Sequence, residues 1–279
     1  MIGKMAKILL IETAANVCSA AIAVDGTPIS LVETRNTLDH AALLTLHIQE
    51  CVKQSGIPLA ALDAVAVSGG PGSYTSLRVG ASVAKGICYA LEKPLIAVNT
   101  LEALAYAGRQ WVEDEGWKIE GRGSSVVNNP EPARENPLQA FPGNPATPSA
   151  FHLPSSTFFV PMLEARRQEV WTAIFDASLA RVSPDMPLVL ENNMFAEFVQ
   201  LFTPNHNTSK FYIFGNGMDK AKKGFLHKAA AFCQVEHTSA AYLANLAEKA
   251  HRKGEFQNIS YFEPFYMKPP NITTPGKIF

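Results

Sequence analysis

The chain begins with three short apolar runs before its first predicted helix, and this order constrains the fold more than any other feature. The runs are KILLIE at residues 7–12, CSAAIAV at 18–24 and PISLVET at 28–34. Asp25-Gly26 separates the last two runs, and this dipeptide is a strong signal for a tight hairpin turn. We therefore predict three antiparallel strands at the start of the chain.

Helices and strands alternate after this hairpin. Apolar periodicity predicts a helix over residues 40–55, then a strand at 64–67 and a second helix over about 75–91. A strand at 94–98 follows, and Thr100 is placed to cap a third helix. The resulting βββαβαβα order predicts an α/β layer fold with a mixed sheet.

The composition changes near residue 112 and divides the chain into three parts. Residues 120–157 contain seven prolines among Gly, Ser and Asn, and neither a helical nor a strand period survives there. We predict a first domain over 1–111, an irregular proline-rich insertion over 112–157 and a smaller α/β domain over 158–279. A helix near 239–253 in that last part is a candidate to pack back on the first domain. A proline-rich ligand for a partner protein is the alternative interpretation of the insertion, but a PxxP core with basic flanks is missing.

Charge, apolar runs and cysteine spacing indicate an intracellular protein. The net charge is −1, which gives no bulk electrostatic reason to bind nucleic acid or a membrane surface. The sequence has no run of about 18 apolar residues, so we expect no membrane span. The apolar run near its start is too short for a signal peptide. The four cysteines lack CxxC or metal-like spacing and are typical of reduced thiols. We expect a cytoplasmic location.

A glycine-rich turn, SGGPGSYTSLRVG at residues 68–80, joins the fourth predicted strand to the second helix. A Walker A loop needs a lysine before its Ser or Thr, and this turn has none. A dinucleotide loop needs a third glycine where Thr75 stands and an acid at the end of the next strand, whereas Glu92 precedes that strand. Both nucleotide loops are therefore disfavoured.

A looser anion site at this turn remains open. Backbone N–H groups at a helix start favour negative charge, and carboxylates close two strands at Glu12 and Glu164. The alternative for the glycine-rich turn is a tight turn in which a Ser or Thr caps the helix. The alternative for Glu12 and Glu164 is that each is a solvated strand end. The candidate nucleotide- or anion-binding residues are Glu12, Thr13, Gly70, Gly72 and Ser73.

Metal and nucleophile motifs are not found in the sequence. His40 and His47 are seven residues apart and form no HxxxH pair on one helical face. A GxSxG elbow is absent, and none of the cysteines lies in a nucleophile motif. We predict neither a metal ligand set nor catalytic residues.

The helix after the glycine turn is apolar over a wide arc, with Arg78, Ser82, Lys85 and Tyr89 on one narrow polar stripe. A helix of this kind is usually buried on more than one side, and its small residues allow another helix to approach closely. The cover is either a protein partner, which we favour, or the chain's own second domain. The candidate partner-binding residues on this helix and the preceding one are Leu43, Leu46, His47, Leu77, Gly80, Ala81, Ala84 and Cys88.

Several segments taken together resemble the bacterial TsaB (YeaZ) family. They are IETAANVCSAAI, the DG hairpin, SGGPGSYTSLRVG, PLIAVNTLEALA and LEARRQEVWTAIF, in that order. The resemblance implies the actin-like ATPase (ASKHA, ribonuclease H-like) fold, with two related βαβ-type domains and mixed sheets. It also implies a non-catalytic subunit of the machinery that makes N6-threonylcarbamoyladenosine in tRNA.

The partners that the resemblance implies are the catalytic paralogue TsaD and the ATPase TsaE. TsaD would pair through the helices at about 40–55 and 75–91, with a homodimer forming when it is absent. The protein would meet tRNA only through the complex. No tightly bound cofactor is expected, although ATP or ADP could lie at the partner interface.

Three departures from the family pattern keep other functions open. Glu12 and Glu164 stand where Asp is usual, and the insertion is not typical of the family. The alternative functions are an independent magnesium-dependent ATPase or small-molecule kinase of the same fold, and a metallopeptidase. The first would turn over ATP alone, and the second requires metal ligands that the sequence does not show.

Overall fold

The computed structural model describes residues 5–35, 37–121, 153–191, 194–203, 208–222 and 230–268, with the side chains of 115–121 excepted. The first half contains β1 (Lys7–Glu12), β2 (Val17–Val24), β3 (Thr27–Arg35), α1 (His40–Ser55), β4 (Ala64–Ser68), α2 (Tyr74–Leu91), β5 (Leu95–Val98) and α3 (Thr100–Gly121). This is the predicted βββαβαβα order.

The first sheet is mixed, in the order β3-β2-β1-β4-β5. β1 pairs antiparallel with β2 and parallel with β4, and β5 extends the parallel side. The hairpin turn has positive φ at both Asp25 (52°) and Gly26 (75°), which is what the tight turn joining two twisted strands requires. The three antiparallel strands predicted from the sequence are confirmed.

Both faces of this sheet are covered, which explains why its central strands are apolar throughout. Leu9 and Ile11 of β1 pack in the cluster that includes α1 and α2. Ile8 and Leu10, on the opposite face, pack against a 3₁₀ turn and a helix from the end of the chain. A strand buried on both faces has no polar side to alternate with.

The second half builds another mixed sheet. Its elements are β6 (Thr157–Glu164), β7 (Glu169–Thr172), β8 (Phe175–Asp176), β9 (Met186–Val189), α4 (Met194–Phe202), β10 (Lys210–Phe214), α5 (Met218–Lys222), β11 (Ala230–Phe232) and α6 (Ala244–Lys253). The strand order is β11-β10-β6-β7-β9, and β8 also pairs with β6. β6, β10 and β11 are parallel, whereas β7 and β9 are antiparallel to their neighbours.

Helix α6 comes late in the chain but packs on the first sheet. Its Ala244 and Ala247 are buried beside β1 and β5 residues. Arg252 donates to Glu248 within α6 at 2.7 Å and also to Asp25 in the first hairpin turn. The last part of the chain thus closes the face of the first sheet that α1 and α2 leave open.

Helix α3 corrects the predicted start of the proline-rich insertion. It extends to Gly121, beyond the predicted boundary at 112, and Leu104, Ala107 and Val112 lie on its buried stripe. β6 begins at Thr157, so the other boundary is displaced by one residue. Residues 122–152 lie outside the described residues, as does the tail beyond 268.

We find no helix among the described residues that is both long enough and apolar enough to cross a membrane.

Candidate functional site

The inner face of α2 belongs to the chain's own core. Leu77, Ala84 and Cys88 have no exposed surface, and Ala81 is 5% exposed. They pack with β1, β4 and α1 in a single apolar cluster. The prediction that these residues bind a partner is wrong, because the sheet covers them.

Gly80 shows why small residues occur on this face. A Cβ atom placed on it would lie 2.4 Å from Oγ1 of Thr13, a fully buried residue at the end of β1. The glycine therefore lets α2 approach the end of the first strand. It does not open a seam for another protein, so the prediction for Gly80 is also wrong.

His47 of α1 is a further residue that was predicted to bind a partner but is buried within the chain. It is 7% exposed, and its Nε2 is 3.1 Å from the Thr34 hydroxyl of β3. Burial lowers the pKa of the imidazole, which favours its neutral form. Leu43 is half-buried and packs against the same core, whereas Leu46 is 57% exposed.

The outer face of α1 and α2 carries the accessible residues of this layer. Leu46 of α1 and Tyr89 of α2, which is 82% exposed, are its large apolar groups. Gly86 of α2 is exposed, and a Cβ atom there would meet nothing within 4 Å. We call this the α1–α2 outer face. The sequence had placed Tyr89 on the narrow polar stripe of α2 and not among the candidate partner-binding residues.

The glycine-rich turn approaches the chain's own backbone. A Cβ on Gly70, whose φ is 98°, would lie 2.4 Å from the Phe265 carbonyl oxygen, and one on Gly72 would lie 2.4 Å from that of Ala14. The Phe265 N–H donates to the Gly69 carbonyl and the Ser73 N–H donates to Ala14, both at 2.7 Å. The turn is therefore packed from two sides by other segments. This arrangement favours the tight-turn interpretation over an open anion cradle.

Ser73 is the N-cap residue of α2, but its side chain makes no capping hydrogen bond. Its hydroxyl instead accepts a hydrogen bond from the Ser76 hydroxyl at 3.0 Å. The sequence identified the cap position and not the bond that the side chain makes.

Glu12 ends β1 in an apolar environment and is 1% exposed. Its Oε1 accepts a hydrogen bond from the Ala14 N–H at 2.5 Å, while Oε2 is buried without a hydrogen bond of normal geometry to the described residues. Burial raises the pKa of this carboxyl from 4.5 to about 7, and the Ala14 N–H and the nearby Ser68 and Thr238 hydroxyls oppose that rise.

This environment bears directly on the predicted anion site. The raised pKa favours the neutral carboxyl in the chain alone, whereas a magnesium–phosphate group is coordinated strongly only by the ionised form. Thr13 lies beside it, and its N–H donates to the Ser68 hydroxyl at 3.3 Å. Glu12 and Thr13 therefore form a compact buried cluster under α2, and nucleotide binding there remains a prediction.

Glu164 is not part of this cluster. Its side chain is 56% exposed at the end of β6 and pairs with Lys220 Nζ at 3.2 Å. Its backbone N–H donates to Asn216. Glu164 therefore matches the alternative of a solvated strand end. Glu12, which is buried, does not match it.

Metal-ligating side chains do not gather in the parts of the chain that the structure describes, where no group of three His, Cys, Asp or Glu could hold an ion. His40 is 2% exposed, and its Nε2 lies 3.0 Å from the Ala15 carbonyl. That contact ties the start of α1 to the β1–β2 turn.

Comparison with known proteins finds sequence similarity over about a third of the chain. Residues 35–127 match the family model of TsaD, tRNA N6-adenosine threonylcarbamoyltransferase. The chain is 35% identical over 99 residues to the tRNA threonylcarbamoyladenosine biosynthesis protein TsaB of Escherichia coli (strain K12), and 33% identical over 100 residues to that of Haemophilus influenzae. Each alignment covers 36% of this chain and 42% of the relative, so the matched segment is less than half of those proteins.

The fold comparison extends over nearly the whole chain. YeaZ from Pseudomonas aeruginosa superposes with a TM-score of 0.64 at 18% identity, covering 94% of this chain and 100% of that one. Two mixed sheets in this arrangement confirm the predicted actin-like ATPase type of fold. The chain is thus similar in sequence to TsaB proteins over about a third of its length, and it shares the fold of YeaZ over nearly all of it.

Proposed function

We propose that this chain is a subunit of the machinery that makes N6-threonylcarbamoyladenosine in tRNA. In this role it supports a TsaD-type transferase and does not itself transfer the threonylcarbamoyl group. The observation that carries the proposal is the α1–α2 outer face, an accessible helical layer within the segment that matches the transferase family model.

A supporting role is consistent with the chemistry of the buried cluster. Glu12, the strand-end carboxyl, is enclosed and has a raised pKa. The glycine-rich turn is packed against Ala14 and Phe265. Neither group is placed to act on a bound substrate in the chain as it stands.

The proposed partner, the TsaD-type transferase, is inferred from its sequence similarity to this chain. Because residues 35–127 match the transferase model, the transferase carries a corresponding helical layer. Two related layers can pair face to face, and a second copy of this chain can occupy the same surface when the transferase is absent. Leu46 and Tyr89 supply the accessible apolar groups for either pairing.

The TsaE-type ATPase joins this pair, and tRNA meets the chain only through the complex. ATP or ADP at the partner interface belongs to the same proposal, with no tightly bound cofactor in the chain alone.

Size exclusion with light scattering tests the proposal on the full chain, alone and mixed with the transferase from the same organism. We expect a homodimer that converts to a one-to-one complex. A monomer that ignores the transferase would contradict the proposal. Magnesium-dependent ATP turnover by the isolated chain, abolished in Glu12→Gln, would point to the independent ATPase instead.

A further inference from the structure

Residues 236–239 lead from the second sheet to the 3₁₀ turn that covers the first sheet, and we call them the closing segment. The segment is anchored at both ends. Before it, the Val235 carbonyl accepts a hydrogen bond from the Gly215 N–H at 2.7 Å, and after it Ala240 is fully buried. Between these anchors, no backbone–backbone hydrogen bond joins 236–238 to another of the described segments.

Two hydroxyl groups hold the end of the closing segment on the first sheet. The Ser239 hydroxyl donates to Glu33 of β3 at 3.0 Å. The Ser19 hydroxyl of β2 accepts a hydrogen bond from the Ala240 N–H at 2.8 Å. These contacts are single side-chain bonds and not a strand ladder, so the segment can separate from the sheet without disrupting the strands.

The closing segment covers the carboxyl of Glu12, which is 1% exposed at the end of β1. The Thr238 hydroxyl lies near this carboxyl, and Thr238 is itself buried. Neither this hydroxyl nor Glu12 Oε2 forms a hydrogen bond of normal geometry with the described residues. Two polar atoms are thus enclosed together with unmet bonding capacity, and such an arrangement destabilises the structure that encloses it.

The three groups near this carboxyl differ in how readily they can move. The Ala14 N–H follows β1 directly, and Ser68 is the last residue of β4. Both strands are central in the first sheet, with apolar packing on both faces. Thr238 is the one group of the three that lies outside this sheet and its turns. Water therefore reaches the carboxyl with least disruption when Thr238 is displaced.

We propose that the closing segment is a lid over Glu12 that opens when this carboxyl ionises. A carboxylate without solvation or a paired charge is costly to enclose. Displacement of Thr238 solvates it, while the 3₁₀ turn that begins at Ala240 stays packed on the sheet. Access to this end of the first sheet then depends on pH, independently of the partner surface proposed above.

The direction of the pH response follows from the burial of Glu12. Burial raises the pKa of this carboxyl in the closed form from 4.5 to about 7. Because the solvated carboxyl of the open form ionises first, opening increases as the pH rises above about 4.5 and levels off above about 7. This difference in pKa predicts a rise of roughly 50-fold in the opening equilibrium constant between pH 5 and pH 8.

His237 of the closing segment responds in the opposite direction. Burial and the charge of Arg35 lower the pKa of its imidazole, so the closed form favours neutral His237 and a fall in pH favours opening. The other titratable groups around the segment are Glu33 of β3, Cys18 of β2, Glu236 and Tyr242. Burial raises the pKa of Cys18 to about 11 and that of Tyr242 to about 12, so both stay neutral up to pH 8.

Amide hydrogen exchange of the full chain, followed by NMR at the Ala240 N–H, tests this inference. The opening constant, corrected for intrinsic exchange, is measured from pH 5 to pH 8 in the wild type and in Glu12→Gln. Both proteins carry His237, so the ratio of wild type to variant isolates the Glu12 carboxyl. We expect this ratio to rise roughly 50-fold over the range.

Glu248→Gln is the matched control, because Glu248 is also a buried carboxyl with an unpartnered Oε2 but lies in α6. Its Ala240 exchange should follow the wild type at every pH. Low concentrations of urea separate opening of the lid from global unfolding. Exchange at Ala240 should be nearly independent of urea, whereas exchange of the β1 amides should increase with it.

Two outcomes would overturn the inference: a ratio that stays flat from pH 5 to pH 8, or Ala240 exchange that follows the β1 amides at every urea concentration. Thr238→Val provides a second variant if Glu12→Gln does not fold. It removes a hydroxyl that favours the ionised carboxyl, so opening should level off at a higher pH than in the wild type. An unchanged pH profile in Thr238→Val would also overturn the lid.

Discussion

Helix α2 contains two glycines with opposite surroundings, Gly80 on its inner face and Gly86 on its outer face. A Cβ on Gly80 would lie 2.4 Å from the Thr13 hydroxyl, whereas one on Gly86 would meet nothing within 4 Å. In the sequence both indicate a close approach by another element. Only the inner glycine has such a neighbour in the chain itself, so small residues in a helix identify a contact only once its neighbours are known.

The strongest test of this comparison is a charge placed on each face. Ala84 has no exposed surface and Ser82 is exposed two residues earlier. Ala84→Arg buries an unpaired charge and should cost about 3–5 kcal/mol in the free energy of unfolding, enough to unfold much of a marginally stable protein. Ser82→Arg is the matched control, and we expect a change within about 0.5 kcal/mol. Equal stabilities of the two variants in urea denaturation would contradict the assignment of faces.

The buried cluster beneath the inner face gives the next largest effect. The Glu12 pKa is raised to about 7, so the stability contributed by its neutral form is complete below about pH 4.5 and is lost as the pH rises through 7. By pH 8 the wild type should lose roughly 3 kcal/mol in the free energy of unfolding. Glu12→Gln, which does not titrate at this position, should not show this loss. The difference in the free energy of unfolding between wild type and variant, measured by denaturation from pH 5 to pH 8, isolates the contribution of the Glu12 carboxyl.

Glu191→Gln, at an exposed position, is the control for that measurement. This variant also removes one carboxyl, but from the surface, so the contrast between the two variants reports the effect of enclosing Glu12. A flat difference for Glu12→Gln would mean that the carboxyl is not enclosed in the folded protein.

The two glycines themselves give the smallest effect. Gly86→Ala should raise the free energy of unfolding by about 0.5–1 kcal/mol, because alanine is the better helix former and its methyl group has open space. Gly80→Ala should lose this gain, because its methyl group displaces the Thr13 hydroxyl inside the core. Thermal unfolding of the pair decides the point, and an equal gain in both variants would remove the packing role given to Gly80.

Much of the fold is predictable from the sequence because its signals are local. The Asp25-Gly26 turn and the apolar runs on either side of it predict the hairpin, and the alternation that follows predicts the mixed sheet. The start predicted for the insertion, residue 112, falls within α3, because the composition beyond that residue resembles a loop. Val112 nevertheless continues the helical stripe into the core.

The site was less predictable because it depends on contacts between distant segments. A wide apolar arc on α2 indicates burial on several sides without saying whether the sheet, α1 or another protein lies there. Residues 254–268 show no apolar period that predicts their position, yet Phe262 helps to cover α2 and Phe265 closes the glycine-rich turn. Glu12 was identified as a strand-end acid, but its enclosure depends on neighbours as distant as Thr238.

The most direct test of the central claim compares two exposed leucines by their effect on transferase binding. Leu46 lies on the α1–α2 outer face at 57% exposure, and Leu201 lies on α4 in the second half at 74%. The account predicts that Leu46→Arg weakens transferase binding at least tenfold in titration calorimetry, whereas Leu201→Arg leaves it unchanged and both variants keep the wild-type stability. Normal binding by a folded Leu46→Arg variant would contradict the assignment of the α1–α2 outer face as the partner surface.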